Sequence, residues 1–333
     1  MNLPDPPLIS VVMAVKNGGD LVARAVDSIL NQTYANFEFI IINDGSTDNT
    51  LATLEEYTDS RIQIYSQENQ GVAKSANRGL SLAKGKYIAR QDHDDLSLPT
   101  RLEKQLAFLE AHSDFGLIGT GAEIWSLGEP TGRFHDHPTH AGVLAFELNF
   151  NNPFVHTSCM FRTDVVNEIG DYSTDPLITP IDDYEFISRV SRSFKVGNLA
   201  ERLVIYTETP GSLSRPQSSK IDPHFIGQRL VRISAQNIAL INGLRADSVQ
   251  AQNLAALMND QLHLIQGKPS YRAMKELVQV AGSKLSQHVM DPELDKAIAI
   301  KLGDLHYRYF HEPKVASRIE SAANKVWQRL KNF

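Results

Sequence analysis

From Phe37 to Thr50 the chain reads FEFIIINDGSTDNT. Phe37 to Asn43 is an apolar run without regular polar alternation, the pattern of a strand buried on both faces. The run stops at Asp44-Gly45-Ser46, a turn, after which Thr47 or Asp48 is placed to cap a helix reaching Tyr57. Outward from this stretch the same alternation repeats. Ile9 to Val15 (ISVVMAV) reads as an earlier buried strand, and after Asp20, a candidate cap, Leu21, Val22, Ala25, Val26, Ile29 and Leu30 recur at helical spacing. Ile62 to Ser66 makes a third strand, Gly71 opens a helix through Ala73, Ala76, Leu80 and Ala83 that ends at Lys84-Gly85, and Tyr87 to Arg90 makes a fourth. Strand and helix alternating at this spacing predict right-handed βαβ units: an α/β chain with a mostly parallel, Rossmann-like sheet flanked by helices.

Such a sheet gathers ligands at the carboxyl ends of its strands, where loops and helix N-termini converge. The polar clusters there are Lys16-Asn17, Asp44-Gly45-Ser46 and Gln91-Asp92-His93-Asp94-Asp95. Asp92, Asp94 and Asp95 put three carboxylates in four residues, which repel one another unless a cation sits among them; this suits Mg²⁺ or Mn²⁺, with phosphate oxygens completing the shell. Solvated acids before a helix from Arg101 to His112 are the plainer alternative. Asp44 can accept the ring N–H of uracil or guanine, or it can simply close an Asx-turn. Asp182-Asp183-Tyr184-Glu185 precedes an apolar helical pattern, and spacing alone makes it a helix cap. His135, His137 and His140 lie in a Pro-containing loop without a suitably spaced carboxylate or cysteine, so an exposed loop accounts for them better than zinc. His156 and Cys159 are three apart, with nothing to lower the thiol pKa; a buried structural cysteine is expected.

The chain has 333 residues and a formal net charge of -6. That sum hides an asymmetry: 17 Lys/Arg against 29 Asp/Glu from Met1 to Ser219, then 16 against 10 from Lys220 to Phe333. The acidic first part excludes nucleic acid as its main ligand, which would need clustered positive charge. A single cysteine excludes a disulfide framework. No apolar run approaches the roughly 18 residues of a membrane span, and Met1 to Pro7 has neither a basic start nor an apolar core. The expected location is cytoplasmic. There is no G-x-x-x-x-G-K-[ST] loop, H-E-x-x-H or G-x-S-x-G. Gly119-Thr120-Gly121 lacks both the third glycine and the early position of a dinucleotide fingerprint. Beyond Lys220 the pattern turns helical.

Taken in order, ISVVMAVKN, SILNQTY, FEFIIINDGSTDNT, ENQGVAKSANRGLSLAKGKYIARQDHDDLSLPTRLEKQ, NPFVHTSCMFR, IGDY, IDDYEFISR and LVIYTETPGSLS resemble the family 2 glycosyltransferases over about Leu8 to Ser214. The resemblance implies a GT-A fold over residues 1–219, with 220–333 as a helical C-terminal extension. It implies Asp44 as the carboxylate that binds the nucleotide base, with Ala14, Val15 and Asn17 lining the nucleoside side and Asn77 nearby. Asp92 and Asp94 become the D-x-D pair around His93, holding Mn²⁺ or Mg²⁺, with Asp94 the direct ligand. Asp183 resembles the general base of an inverting transfer, Asp182 stands in the place usually held by Glu, and His156 falls near the donor or acceptor. The partners implied are a nucleotide-sugar donor, most simply a UDP-sugar, and a glycan or lipid-linked acceptor in cell-surface polysaccharide synthesis.

Two positions depart from the family pattern. Thr207 stands where Arg is frequent, and Ala14 where proline is common. The Q-x-x-R-W signature of processive synthases is absent, the nearest string being QRLVR at Gln228 to Arg232, which favours single addition. Val315, Ile319, Ala322, Val326 and Leu330 form a stripe bordered by Lys and Arg. It suits peripheral docking on anionic lipid at the inner face of a membrane, packing on its own domain, or a homo-oligomer. Two other functions stay open on sequence: a nucleotidyltransferase that makes sugar nucleotides, and a non-catalytic nucleotide-sugar-binding module.

Overall fold

The computed structural model describes residues 8–209, 223–287 and 291–311. Its contacts divide the chain into two compact units, Met1–Thr139 with Pro153–Lys220, and His140–Asn152 with Ile221–Phe333.

The first unit begins with β1 (Ile9–Val15), α1 (Leu21–Leu30), β2 (Phe37–Asp44), α2 (Thr50–Glu55), β3 (Ile62–Gln67), α3 (Val72–Leu82) and β4 (Tyr87–Asp92). These strands run parallel in the order β3-β2-β1-β4. Every residue of β2 is buried, and so is all of β1 except Ala14. Burying one Val, Leu, Ile or Phe side chain contributes about 1.5–3 kcal/mol, which is why neither strand alternates with polar residues. β2 and β4 run one and two residues past the expected ends, so Asp44 and Asp92 are the last residues of their strands.

The second helix is shorter than expected, starting at Thr50 after an N-cap at Asn49. Thr47 and Asp48 both bond to the loop after β1: the Thr47 N–H donates to Asn17 Oδ1, and Asp48 Oδ2 accepts from the Gly19 N–H. Thr47 clamps that loop without joining the helix, whereas Asp48 serves both, its Oδ1 accepting from the Thr50 N–H at the start of α2 at 3.1 Å. Asp20 sits at the N-cap of α1 but makes no side-chain capping bond. At the end of α3 the backbone passes so close to β1 that a Cβ on Gly85 would lie 2.6 Å from the Ser10 nitrogen and 2.8 Å from the Ile9 carbonyl carbon. Backbone atoms cannot swing aside, so Gly85→Ala is expected to cost about 1–3 kcal/mol in urea unfolding, the range for overpacking.

The chain continues through β5 (Leu96–Ser97), α4 (Arg101–Ala111), β6 (Phe115–Ser126), β7 (Glu129–His135), α5 (Ala141–Glu147), β8 (Met160–Arg162), α6 (Thr163–Ile169), α7 (Asp182–Ser193) and β9 (Lys195–Glu208). The sheet extends from β4 through β8, β6, β9 and β5, with β7 on β6. β8 is antiparallel to β4 and β6, and β9 is parallel to β6. Gly119-Thr120-Gly121 lies inside β6, away from any strand-to-helix turn.

The second unit holds α8 (Pro223–Asn242), α9 (Val249–Met258), α10 (Tyr271–Ser286) and α11 (Leu294–His311). It also takes in α5, which a boundary at 219/220 would place in the first part. Phe146 and Phe150 explain this: both are fully buried among Ile238, Leu254, Leu257, Val278 and Leu305. Glu147 adds an ion pair with Lys301 at 2.7 Å. Among the described residues no helix is long and apolar enough to cross a membrane. The basic stripe from Lys314 to Phe333 lies outside the described residues.

Candidate active site

Sheet register brings the predicted residues to one end of the parallel strands. Ala14 lies beside Ile42 on one side and Asp92 on the other, while Val15 pairs with Asn43 and Asp44 with Gln67. Asp44 and Asp92 therefore flank the end of β1, two strand spacings or about 10 Å apart across the sheet, with Asp44 two residues further along its strand.

Asp44 is buried, and its Oδ1 accepts from Gln67 Nε2 and the Gln70 N–H, both at 2.8 Å; its Oδ2 accepts from the Gly71 N–H at 2.9 Å. Burial pushes its pKa up, but the bonds from Gln67, Gln70, Gly71 and Ser75 outweigh this and hold the carboxyl below its usual range. The turn weighed for Asp44 is held instead by its neighbour: the Ser46 N–H donates to Asn43 Oδ1 at 3.2 Å. That leaves Asp44 to hold the entry of α3 and to present a fixed anion at the strand end. The Val15 side chain is in the core, so only its backbone can line a ligand site, whereas Ala14 is half-buried. Asn17 has φ 54°, and its Oδ1 is taken by Thr47, so it shapes the loop. His93 packs beside Gly18, where an added Cβ would come within 3.2 Å of its ring.

The three acids after β4 divide their work. Asp95 is 2% exposed and accepts from the Thr207 N–H at 2.7 Å, so it ties the β4 loop to β9 and has turned away from any ligand. Burial and the charges of Asp94 and Asp92 push its pKa well up. Thr207, at the position where the family often has Arg, contributes this backbone anchor. Asp94 accepts from the Thr209 hydroxyl at 3.3 Å; burial raises its pKa, with Asp92 adding to the rise and His93 opposing it. Asp92 accepts from Arg90 Nη2 at 2.9 Å. The expected trio is thus a pair, Asp92 and Asp94. Among the described residues no three His, Cys, Asp or Glu side chains converge to hold a metal. Two carboxylates beside one another, one of them destabilised by burial, are still a donor set that fits a hard divalent cation whose other ligands come from phosphate and water.

Arg90 joins this pair to the rest of the site. Its side chain is 1% exposed, and Nη1 donates to the Val12 carbonyl at 2.8 Å while Nε points at His156 Nε2 at 3.4 Å. The same His156 nitrogen lies 2.9 Å from the Tyr172 hydroxyl. Tyr172 is held by two bonds with the Asn77 side chain, its N–H donating to Oδ1 and its carbonyl accepting from Nδ2, and its ring stacks on Phe186 of α7 at 4.3 Å. Asn77 is therefore a support for Tyr172. Sequence reasoning passed over Arg90 and Tyr172; a charged residue inside the otherwise buried YIARQD strand was the available signal.

Asp182 and Asp183 open α7, yet they do not cap it. The N-cap is Ile181, without a side-chain capping bond, and the acids occupy the first turn, where the helix dipole favours negative charge. Asp182 is 3% exposed, and its Oδ1 meets no partner among the described residues. Burial, then the charge of Asp183, raises its pKa to about 7. The charges of Asp92 and Asp183 both act on His156, so the β4 acids and the start of α7 share one electrostatic neighbourhood.

A carboxyl raised in the folded chain is protonated there while the unfolded chain is already ionised. Asp182 thus weakens stability progressively as pH rises from about 4 to about 7. Asp182→Asn removes that penalty: its melting temperature should match wild type near the lower end and exceed it by several degrees above the upper end, as read by calorimetry.

The remaining candidates hold no ligand set. His135 and His137 stack at 5.7 Å, while His140 pairs with Asp291 in the helical unit. Cys159 is buried, and burial pushes its thiol up to about 12, which makes it inert.

Comparison with known proteins gives this geometry a family. The profile of Glycosyl transferase family 2 matches residues 10–170. An uncharacterized glycosyltransferase of Haemophilus influenzae is 34% identical over 248 residues, covering 70% of this chain and 73% of its own. The chain belongs to glycosyltransferase family 2. The O-antigen biosynthesis glycosyltransferase WbnJ of Escherichia coli is 37% identical over 169 residues, 50% of this chain and 66% of that one. Among solved structures, S. aureus TarS 1-349 in complex with UDP-GlcNAc superposes with a TM-score of 0.59 at 18% identity, covering 95% of this chain and 92% of that chain. That likeness shows the GT-A fold.

Proposed function

We propose that this glycosyltransferase moves a sugar from a UDP-sugar to a hydroxyl of a glycan or lipid-linked acceptor, with inversion, in the building of a cell-surface polysaccharide. One arrangement carries the proposal. The fixed anion of Asp44 and the Asp92–Asp94 pair stand at the ends of the two parallel strands that flank β1, and the Arg90–His156–Tyr172 chain links that edge to α7. A base, a diphosphate and an attacking hydroxyl each have a matching group. The O-antigen role named for WbnJ and the UDP-GlcNAc bound by TarS support the acceptor and donor classes.

A sugar hydroxyl is a poor nucleophile at neutral pH, so a carboxylate must take its proton as it attacks the anomeric carbon. Asp183 is assigned that role, because Asp182 beside it is buried and, with its pKa raised to about 7, only partly ionised near neutral pH. Attack from the face opposite the diphosphate inverts the centre. Asp94 and Asp92 would hold Mn²⁺ or Mg²⁺, which when bound supplies Lewis-acid stabilisation of the departing diphosphate. Asp44 orients the base, and acceptor-only chemistry there selects a ring N–H, as in uracil or guanine, over adenine.

A thermal-shift panel of nucleotides and nucleotide sugars with and without Mn²⁺ tests the donor class. UDP or a UDP-sugar at about a hundred times its Kd should stabilise the fold by about 2.7 kcal/mol, and adenine nucleotides should not. Equal shifts with ADP and UDP would remove Asp44 as the base reader.

A further inference from the structure

The imidazole of His156 has its protonation state dictated by its neighbours. Arg90 Nε–H points at Nε2 from 3.4 Å, and the Tyr172 hydroxyl sits 2.9 Å from the same nitrogen. A guanidinium has only donors and stays charged in proteins. A proton on Nε2 would therefore set two N–H groups head to head beside a permanent cation. Nε2 must accept, with the Tyr172 O–H donating, and a neutral imidazole then carries its hydrogen on Nδ1. Neither neighbour is free to rearrange. Arg90 is buried, bonded to the Val12 carbonyl and paired with Asp92. Tyr172 is bonded through its backbone to Asn77 and stacked on Phe186.

We propose that Arg90 and Tyr172 lock His156 in the Nδ1–H tautomer, and that His156 serves the transfer as a neutral hydrogen-bond donor to an oxygen of the sugar nucleotide rather than as an acid or base. The role rests on the glycosyl-transfer assignment above; the tautomer does not. The ring lies under the charges of Asp92 on the β4 side and Asp183 on α7, with Arg90 opposing them. Burial and Arg90 hold its pKa below the ordinary imidazole value, which keeps it neutral in working conditions. Among the described residues Nδ1 has no protein acceptor, and His156 is half-buried, so its N–H remains available to a ligand. Arg90 and Tyr172 are thus positioning residues, acting through His156.

Two measurements decide the matter. Nitrogen-15 NMR on the free wild-type chain, with labelled histidine, should show Nδ1 carrying the hydrogen and Nε2 bare, unchanged across about pH 6 to 8, where an unperturbed imidazole titrates. Tyr172→Phe should shift that signature toward a mixture of tautomers. In transfer assays the Asn amide nitrogen takes the place of Nδ1 and the Gln amide nitrogen that of Nε2. His156→Asn should keep kcat/KM within about tenfold of wild type, whereas His156→Gln should lose about 100-fold. An Nε2–H tautomer or an imidazolium in the free protein overturns the lock. A Gln variant as active as the Asn variant overturns the donor role. Wild-type turnover of a nucleotide sugar, measured alongside, tests the parent assignment separately from the tautomer.

Discussion

Asp183→Asn should abolish turnover while leaving donor binding as it was. The amide keeps the size and place of the side chain in the first turn of α7 but cannot take a proton, and general-base catalysis is worth about 10²–10⁴ in rate. The loss belongs in kcat, with the Kd for UDP-sugar by calorimetry within about twofold of wild type, since the proposed base would act on the acceptor hydroxyl only in the transition state. Asp182→Asn is the matched control. Asp182 is buried, with an oxygen that meets no partner among the described residues and a pKa raised to about 7, so about half of it is already neutral at pH 7, and its amide should retain most activity. If Asp183→Asn turns over within tenfold of wild type, or if Asp182→Asn is the dead variant, the base is misassigned.

Asp94→Ala should lose both activity and the response to Mn²⁺. A divalent cation on a departing diphosphate is worth several kcal/mol, and each 1.36 kcal/mol is tenfold in rate, so a drop of about 10²–10⁴ in kcat/KM is expected. The comparison that isolates the metal is Asp95→Asn, one residue along the chain. Asp95 accepts from the Thr207 N–H and is sealed from solvent, and an amide oxygen can still accept that bond, so Asp95→Asn should leave the Mn²⁺ dependence of activity intact. An Asp94→Ala enzyme still activated by Mn²⁺ would place the cation elsewhere.

The contrast between Asp94 and Asp95 shows where sequence stops being informative. Three acids in four residues look equivalent in a string; burial separates them, because only Asp95 finds a backbone N–H from β9 to satisfy it. The same holds at Asp44, where spacing could not choose between a turn and a ligand site. Asn43 supplies the turn through Ser46, and Asp44 reaches across to the entry of α3. At Asp182-Asp183 a capping pattern was legible, yet Ile181 holds the N-cap and the acids fall one step inside the helix. Arg90 was invisible for the opposite reason: a single charge in an apolar strand carries no periodic signal, and two of its partners, Val12 and His156, come from other segments of the chain.

Sequence alone determined the parallel βαβ half, because unbroken apolar runs and 3.6-residue stripes are local consequences of burial on both faces or on one, and it determined the family through the order of its motifs. Only the tertiary structure decided which acid is sealed against β9, that α5 joins the helical unit through Phe146 and Phe150, and that Asp92, Arg90, His156, Tyr172 and α7 form one connected chain. Those outcomes depend on contacts between residues far apart in the chain, and the energy of such contacts is set by packing and desolvation that no single stretch of residues encodes.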